Sequence, residues 1–124
     1  SKKLTSLRGS KFLSVAYERG TSTLAVITRA GNRLTPKLLR VDLQLADAVL
    51  CEQSLVVVAR DGRAVLFDSE AIEKATSTLT PKSETSLGVT GEPTSAVMAR
   101  GNLFVGTNTG EIVMAVMVRK QVMM

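Results

Sequence analysis

The sequence predicts an all-β protein assembled from repeated antiparallel units, and two observations carry that prediction. The first is an internal match without gaps. Leu55–Asp68 (LVVVARDGRAVLFD) lies over Leu103–Val116 (LFVGTNTGEIVMAV) at an offset of 48 residues. The second is the shape of each copy: an apolar run, a short polar turn closed by glycine (Gly62, Gly110), then another apolar run. β-Branched strands around a turn whose glycine takes positive φ without steric cost are the mark of a β-hairpin. Upstream, Ala48–Cys51 lies over Ala96–Ala99 and adds a third strand to each unit. Self-similarity on this length scale points to a repeat architecture.

Taken in order, Lys2–Leu7 reads as a short strand anchored by Leu4 and Leu7, broken at Gly9-Ser10. Phe12–Tyr17 is a strand, Glu18–Ser22 a turn centred on Gly20, and Thr23–Thr28 a strongly β-prone run closed by Arg29-Ala30-Gly31-Asn32. Gly31 is read as this first unit's counterpart of Gly62. Pro36 cannot donate to a ladder, so a break, turn or edge is expected there before Lys37–Leu43. Leu45–Cys51 opens the second unit. Ser69–Leu79 reads as a short helix, with Ser69 as its cap and Glu70 and Glu73 in its first turn. Thr80–Ser86 is expected to be a polar loop and Leu87–Val89 the outer strand of that unit. Thr90–Pro93 turns into Ser95–Ala99, and Gly101-Asn102 turns into the last hairpin, a strand at least through Val118.

At this point the chain resembles a known family. Leu55–Asp68 is similar to the end of a WD40 β-propeller blade: a leucine opens one strand, Asp61-Gly62 makes the turn, and Phe67-Asp68 stands where the family prefers Trp-Asp. Leu103–Val116, turned at Asn108-Thr109-Gly110, looks like a blade of a looser type. The resemblance covers about half the chain, and neither a Trp-Asp nor a Gly-His pair occurs. It implies propeller-like units of three to four strands, about three blades, with one short helix or loop around 69–79. A ring typically needs four to eight blades, so three units cannot close one. Three outcomes follow: residues 1–124 form a single β-rich domain that completes a ring with another chain, or a piece of a larger propeller, or a small independent sandwich or barrel. The final unit lacks an outer strand, and Lys3–Leu7 is a candidate to supply it.

Composition narrows the chemistry. The chain has 124 residues, 44% of them hydrophobic, and its core must be aliphatic because Phe12, Tyr17, Phe67 and Phe104 are the only aromatics. The single Cys51 excludes an intrachain disulfide and fits a reducing compartment, so a cytoplasmic or nuclear location is expected. Cys51 itself reads as a small hydrophobe in an apolar strand. No apolar run reaches the roughly 18 residues of a membrane helix, and no membrane partner is expected. With no histidine, imidazole catalysis, Ser-His-Asp and Cys-His nucleophiles and most zinc sites are excluded. Phosphate-cradling glycine loops are absent as well. Asp42, Asp47, Asp68, Glu70 and Glu73 read as turn, cap or solvated residues. The expectation is a protein that is not an enzyme, with no cofactor and no metal.

Charge is uneven. Residues 1–40 carry nine Lys/Arg against Glu18 (+8), residues 41–99 four against nine acids (−5), and residues 100–124 three against Glu111 (+2). A basic N-terminal third either discourages edge pairing or meets an acidic partner. Partner binding is assigned to Arg29, Arg33, Lys37 and Arg40, taken to share an edge, and to the turns at Arg60-Asp61 and Asn108-Thr109. The function expected is a protein–protein interaction or scaffold module, as a homo- or hetero-oligomer. Nucleic acid bound by the basic third, with Tyr17 beside Arg19 as a stacking ring, is the second reading. A phosphopeptide-docking module of polo-box-like design is the third. Thr35-Pro36-Lys37 and Thr80-Pro81-Lys82 are of proline-directed phosphorylation type, placed in loops, although Thr-Pro also simply starts turns. Met114, Met117, Met123 and Met124 either line a partner surface or fill the core.

Overall fold

The computed structural model describes the backbone of residues 2–5, 12–30, 32–51 and 54–116, and the side chains of 15–27, 32–49 and 54–116. Gly31 and the residues beyond Val116 lie outside these. Three antiparallel sheets follow one another along the chain. The first comprises β1 (Lys2–Thr5), β2 (Phe12–Glu18), β3 (Thr23–Ala30) and β4 (Arg33–Arg40), in that order. The second comprises β5 (Leu45–Cys51), β6 (Ser54–Ala59), β7 (Arg63–Asp68) and β8 (Ser83–Ser86), with α1 (Ser69–Lys74) between β7 and β8. The third has β9 (Pro93–Ala99), β10 (Asn102–Thr107) and β11 (Ile112–Val116).

The 48-residue repeat is visible in the hydrogen-bond registers. Val57 faces Val65 and Val105 faces Val113, while a bulge at Leu45/Asp47 recurs at Pro93/Ser95. Gly62 and Gly110 turn the two hairpins at φ +96° and +88°. The β9–β10 connection is a two-residue turn with both Arg100 (φ 55°) and Gly101 (φ 81°) left-handed, the primed geometry that matches strand twist. In the first sheet the hairpin packed against the second sheet is β2–β3, turned near Gly20 at φ +87°.

The sheets stack face to face in sequence order. Val15, Tyr17, Leu24, Val26 and Leu39 of the first sheet pack on Leu55, Val57, Val65 and Phe67 of the second, with Ile72 and Leu79 inserted from the β7–β8 connection. On the other side of the second sheet, Val49, Val56, Val58, Ala64 and Leu66 pack on Ala96, Leu103 and Val105 of the third. Every residue of Leu55–Ala59 and Ala64–Phe67 is therefore buried. The middle sheet is covered on both sides and each outer sheet on one.

Several expectations are corrected. Of the break, turn or edge expected at Pro36, the edge is what is found: β4 runs through Pro36 without a break, with the missing N–H facing away from β3. Thr35-Pro36-Lys37 thus lies in a strand. The helix ends at Lys74, and its cap is Asp68, which accepts from the Ala71 N–H at 2.9 Å. Beyond it the chain turns extended and ties to β4: Arg40 donates to the Ser77 carbonyl and Leu79 donates to the Arg40 carbonyl. The outer strand of the second unit is Ser83–Ser86, not Leu87–Val89, and Thr80–Ser86 is not all loop. The N-terminal segment pairs with β2 and so does not complete the last unit.

Buried polar groups join the three sheets. The β5 bulge turns Asp47 inward, leaving it 5% exposed. Its carboxylate accepts from the Tyr17 hydroxyl of the first sheet, from the Ala48 N–H at 2.8 Å, and from the Ala96 N–H of the third sheet at 2.8 Å. Burial, followed by the adjoining Asp47 charge, pushes the Tyr17 phenol's pKa upward, which keeps it the donor. Asp47 is neither a turn nor a solvated residue. Tyr17, buried, is no stacking platform for a base.

Replacing Gly62 with alanine forces a side chain into the left-handed region, at about 1–2 kcal/mol, and sets its Cβ 3.3 Å from Val89. Gly110→Ala meets no atom within 4 Å and carries the backbone strain alone. Denaturant unfolding should show Gly62→Ala as the more destabilised. Tyr17→Phe should cost about 1.5–3 kcal/mol, the range for a hydrogen bond to a charged group. A double-mutant cycle with Asp47→Asn should return a coupling energy clearly above zero.

Candidate docking faces and the polar rim

At one end of the stack the turns of the three sheets meet on a single carboxylate. Glu92 precedes β9, and its Oε2 accepts from Arg19 at 2.7 Å and from Arg60 Nε at 2.6 Å. Arg19 follows β2 and Arg60 follows β6, so the ion pairs span all three sheets. The Arg60 guanidinium, followed by Arg19, holds the Glu92 carboxyl below its ordinary range. The backbone repeats the arrangement: Arg60 N–H donates to the Gln44 carbonyl and Asn108 N–H to the Glu92 carbonyl, the same pair 48 residues on.

Glu111 secures the neighbouring turn. Its carboxylate accepts from the N–H groups of Thr90 and Gly91 and from the hydroxyls of Thr107 and Thr109, all at 2.8–3.1 Å. These donors, the Thr90 and Gly91 amides first, hold its pKa down to about 2. Gly91 is required there, since a Cβ would lie 2.5 Å from the Thr109 hydroxyl.

The turn residues assigned to partner binding are therefore at this rim and engaged with neighbouring rim residues. Arg60 holds Glu92; Asp61 is bound by Arg63 at 2.9 Å; Asn108 Oδ1 accepts from the Glu92 N–H; Thr109 donates to Glu111. All four remain exposed on their outer sides. The basic set is not brought together. Lys37 lies on the side of β4 that faces the second sheet, and its ammonium donates to the carbonyls of Ile72, Glu73 and Ala75, closing the end of α1. Arg33 shares that side of the strand by alternation, whereas Arg40 is on the opposite side. The Arg29 side chain lies outside the described residues. So do the side chain of Cys51 and the segment holding Met117, Met123 and Met124.

Among the described residues two sheet faces are uncovered, and of their side chains sequence reasoning singled out Met114, as lining a partner surface or filling the core. The outer face of the third sheet carries Val97, Phe104 and Met114 in one cross-strand row, with Ile112 and Val116 on either side. Ile112 is 78% exposed, Val97 and Met114 57% each. The outer face of the first sheet carries the row Ala16–Ala25–Leu38, with Ile27 and Pro36 beside it and Leu38 69% exposed. A hollow of about 190 Å³ lies over its two alanines, lined also by Glu18, Thr21, Thr23 and Leu38. The unbroken apolar run Ile112–Val116 was the available signal for the third-sheet face, since a strand apolar at every position presents an apolar side to both faces of its sheet. Among the described residues no group of His, Cys, Asp and Glu is placed to hold a metal ion, and no helix is long and apolar enough to cross a membrane.

Because folding depresses the Glu111 pKa, its contribution to stability is complete above about pH 4.5 and is lost as the pH falls toward 2. Wild type and Glu111→Gln should accordingly differ in unfolding midpoint at pH 7, and the gap should close between pH 4.5 and 2. A gap that persists at pH 2 would remove this role from Glu111.

No family model and no curated protein matches the sequence. Among solved structures the chain is similar to BamB from Moraxella catarrhalis, with a TM-score of 0.63 at 15% identity. The match covers 90% of this chain and 30% of that one, so the chain spans less than a third of its structural neighbour's length. BamB is a β-propeller protein, and the likeness shows that the three stacked sheets are propeller-like blades.

Proposed function

We propose that the chain is a non-catalytic arc of propeller blades whose work is to dock protein, in the cytoplasm or nucleus. The observation that carries this reading is the contrast between the sheets. In the second sheet Val49, Val56, Ala64 and Leu66 are 8% exposed or less, buried by the third sheet. Their counterparts 48 residues on, Val97, Phe104, Ile112 and Met114, are apolar too, yet three of them are more than half exposed. An apolar sheet face of this extent marks an interaction surface. The rim turns at Arg60-Asp61 and Asn108-Thr109 border the arc at one end and are proposed to contribute polar contacts to the same partner, together with the exposed Arg33 and Arg40. The turn at Asp61-Gly62 and the strand ending at Phe67-Asp68 support blades of WD40-like kind. BamB, built of blades in a longer chain, supports the view that three blades are part of a larger assembly.

A photo-crosslinking residue placed at Met114 should yield protein adducts in cells producing the chain, and the same residue at exposed Thr80 should yield far fewer. Equal yields, or no protein adduct at Met114, would contradict docking at this face.

A further inference from the structure

The two uncovered faces are the two halves of one kind of interface. At the interface between the second and third sheets, one side is formed by the positions of Val49, Val56, Ala64 and Leu66 and the other by those of Ala96, Leu103, Val105 and Val113. The third sheet presents the first set again, outward, as Val97, Phe104, Ile112 and Met114. Among the described residues, the first sheet is the blade whose opposite side is uncovered. The shapes are also matched: the third sheet offers Phe104, Ile112 and Met114 standing above Gly106, while the first offers the hollow over Ala16 and Ala25 beside Leu38. The rows Val97–Phe104–Met114 and Ala16–Ala25–Leu38 carry no charge, while Glu18 and Arg40, both exposed, stand at the margin of the first-sheet face beside the hollow and Leu38.

From this we infer that a second copy of the chain docks head to tail, the outer face of its first sheet covering the outer face of the third. The contact continues the established stacking of sheet on sheet by one more step. Being heterologous, it leaves one open face at each end of a dimer and adds further copies until the ring closes. The bulged position that Asp47 fills in the second blade is held in the third by Ser95, exposed and beside the face, where its hydroxyl can meet a backbone amide of the arriving blade. The inference rests on the protein-docking reading above and names the partner.

The test is solution mass by analytical ultracentrifugation across a hundredfold range of concentration. Wild type should rise from monomer to dimer or a larger closed ring. Ile112→Asp/Met114→Asp, with a spoiled third-sheet face, should stay monomeric, as should Leu38→Asp, with a spoiled first-sheet face. Both sets of residues are already exposed, and far-UV circular dichroism should confirm the fold. An equimolar mixture of the two variants retains one good face of each kind and should form a 1:1 dimer that neither forms alone. A wild type that remains monomeric throughout overturns the proposal without recourse to the variants, and so does a mixture that fails to pair. Adducts at Met114 to a different protein, with wild type monomeric, would sink self-association while leaving protein docking intact.

Discussion

The hairpin strands β6 and β7 are buried on both sides along Leu55–Ala59 and Ala64–Phe67, and the other features of the molecule are arranged around that fact. An antiparallel sheet usually keeps one face wet and reads as alternating apolar and polar residues. Here Leu55–Ala59 are buried without exception, so β6 must be apolar at every position after Ser54, and two further sheets must cover it. Each apolar residue removed from water on either side contributes on the order of 1.5–3 kcal/mol. A chain of three such sheets can satisfy the requirement for the middle one only. The outer two inherit the same apolar blade design with half of it uncovered.

Stacking by apolar faces is non-directional, and the polar groups supply the registration. Asp47 is fixed by a hydroxyl from the sheet before it and a backbone N–H from the sheet after it. A carboxylate so placed is costly unless all three sheets are in position, since the alternative is a buried charge without its donors. Glu92 does the same at the rim through Arg19 and Arg60, at lower cost because it is partly solvated. The two acids therefore select one relative placement of blades among the many that apolar contact alone would allow.

Much of the fold was legible in the sequence because it depends on local chemistry. Gly62 and Gly110 are written into the turns by their positive φ, and the apolar runs beside them fix the hairpins. What was not legible depends on parts of the chain far apart. β8 is Ser-Glu-Thr-Ser, a strand that pairs through its backbone at a sheet edge and buries almost nothing, so no periodicity reveals it. Pro36 left a break, a turn and an edge open, and which of them holds depends on where β4 lies in its sheet. The first unit was aligned on Gly31 because it carries a glycine after a β-prone run, yet the hairpin that packs on the second sheet turns near Gly20. Asp47 was the one site residue with a usable signal, a lone acid within Leu45–Cys51. Its partners are 30 and 49 residues away, and sequence order alone does not bring them together. The basic residues 29–40 were grouped by proximity along the chain, but strand alternation sends Lys37 and Arg40 to opposite sides of β4.

The middle sheet is enclosed on both sides, and native-state hydrogen exchange reads that enclosure residue by residue. Backbone amides that open only when the whole molecule unfolds are the slowest to exchange. Those of Leu55–Ala59 and Ala64–Phe67 should form the slowest group, and β11 should exchange ahead of them. Amides of β6 and β7 exchanging as fast as those of β11 would contradict the enclosure.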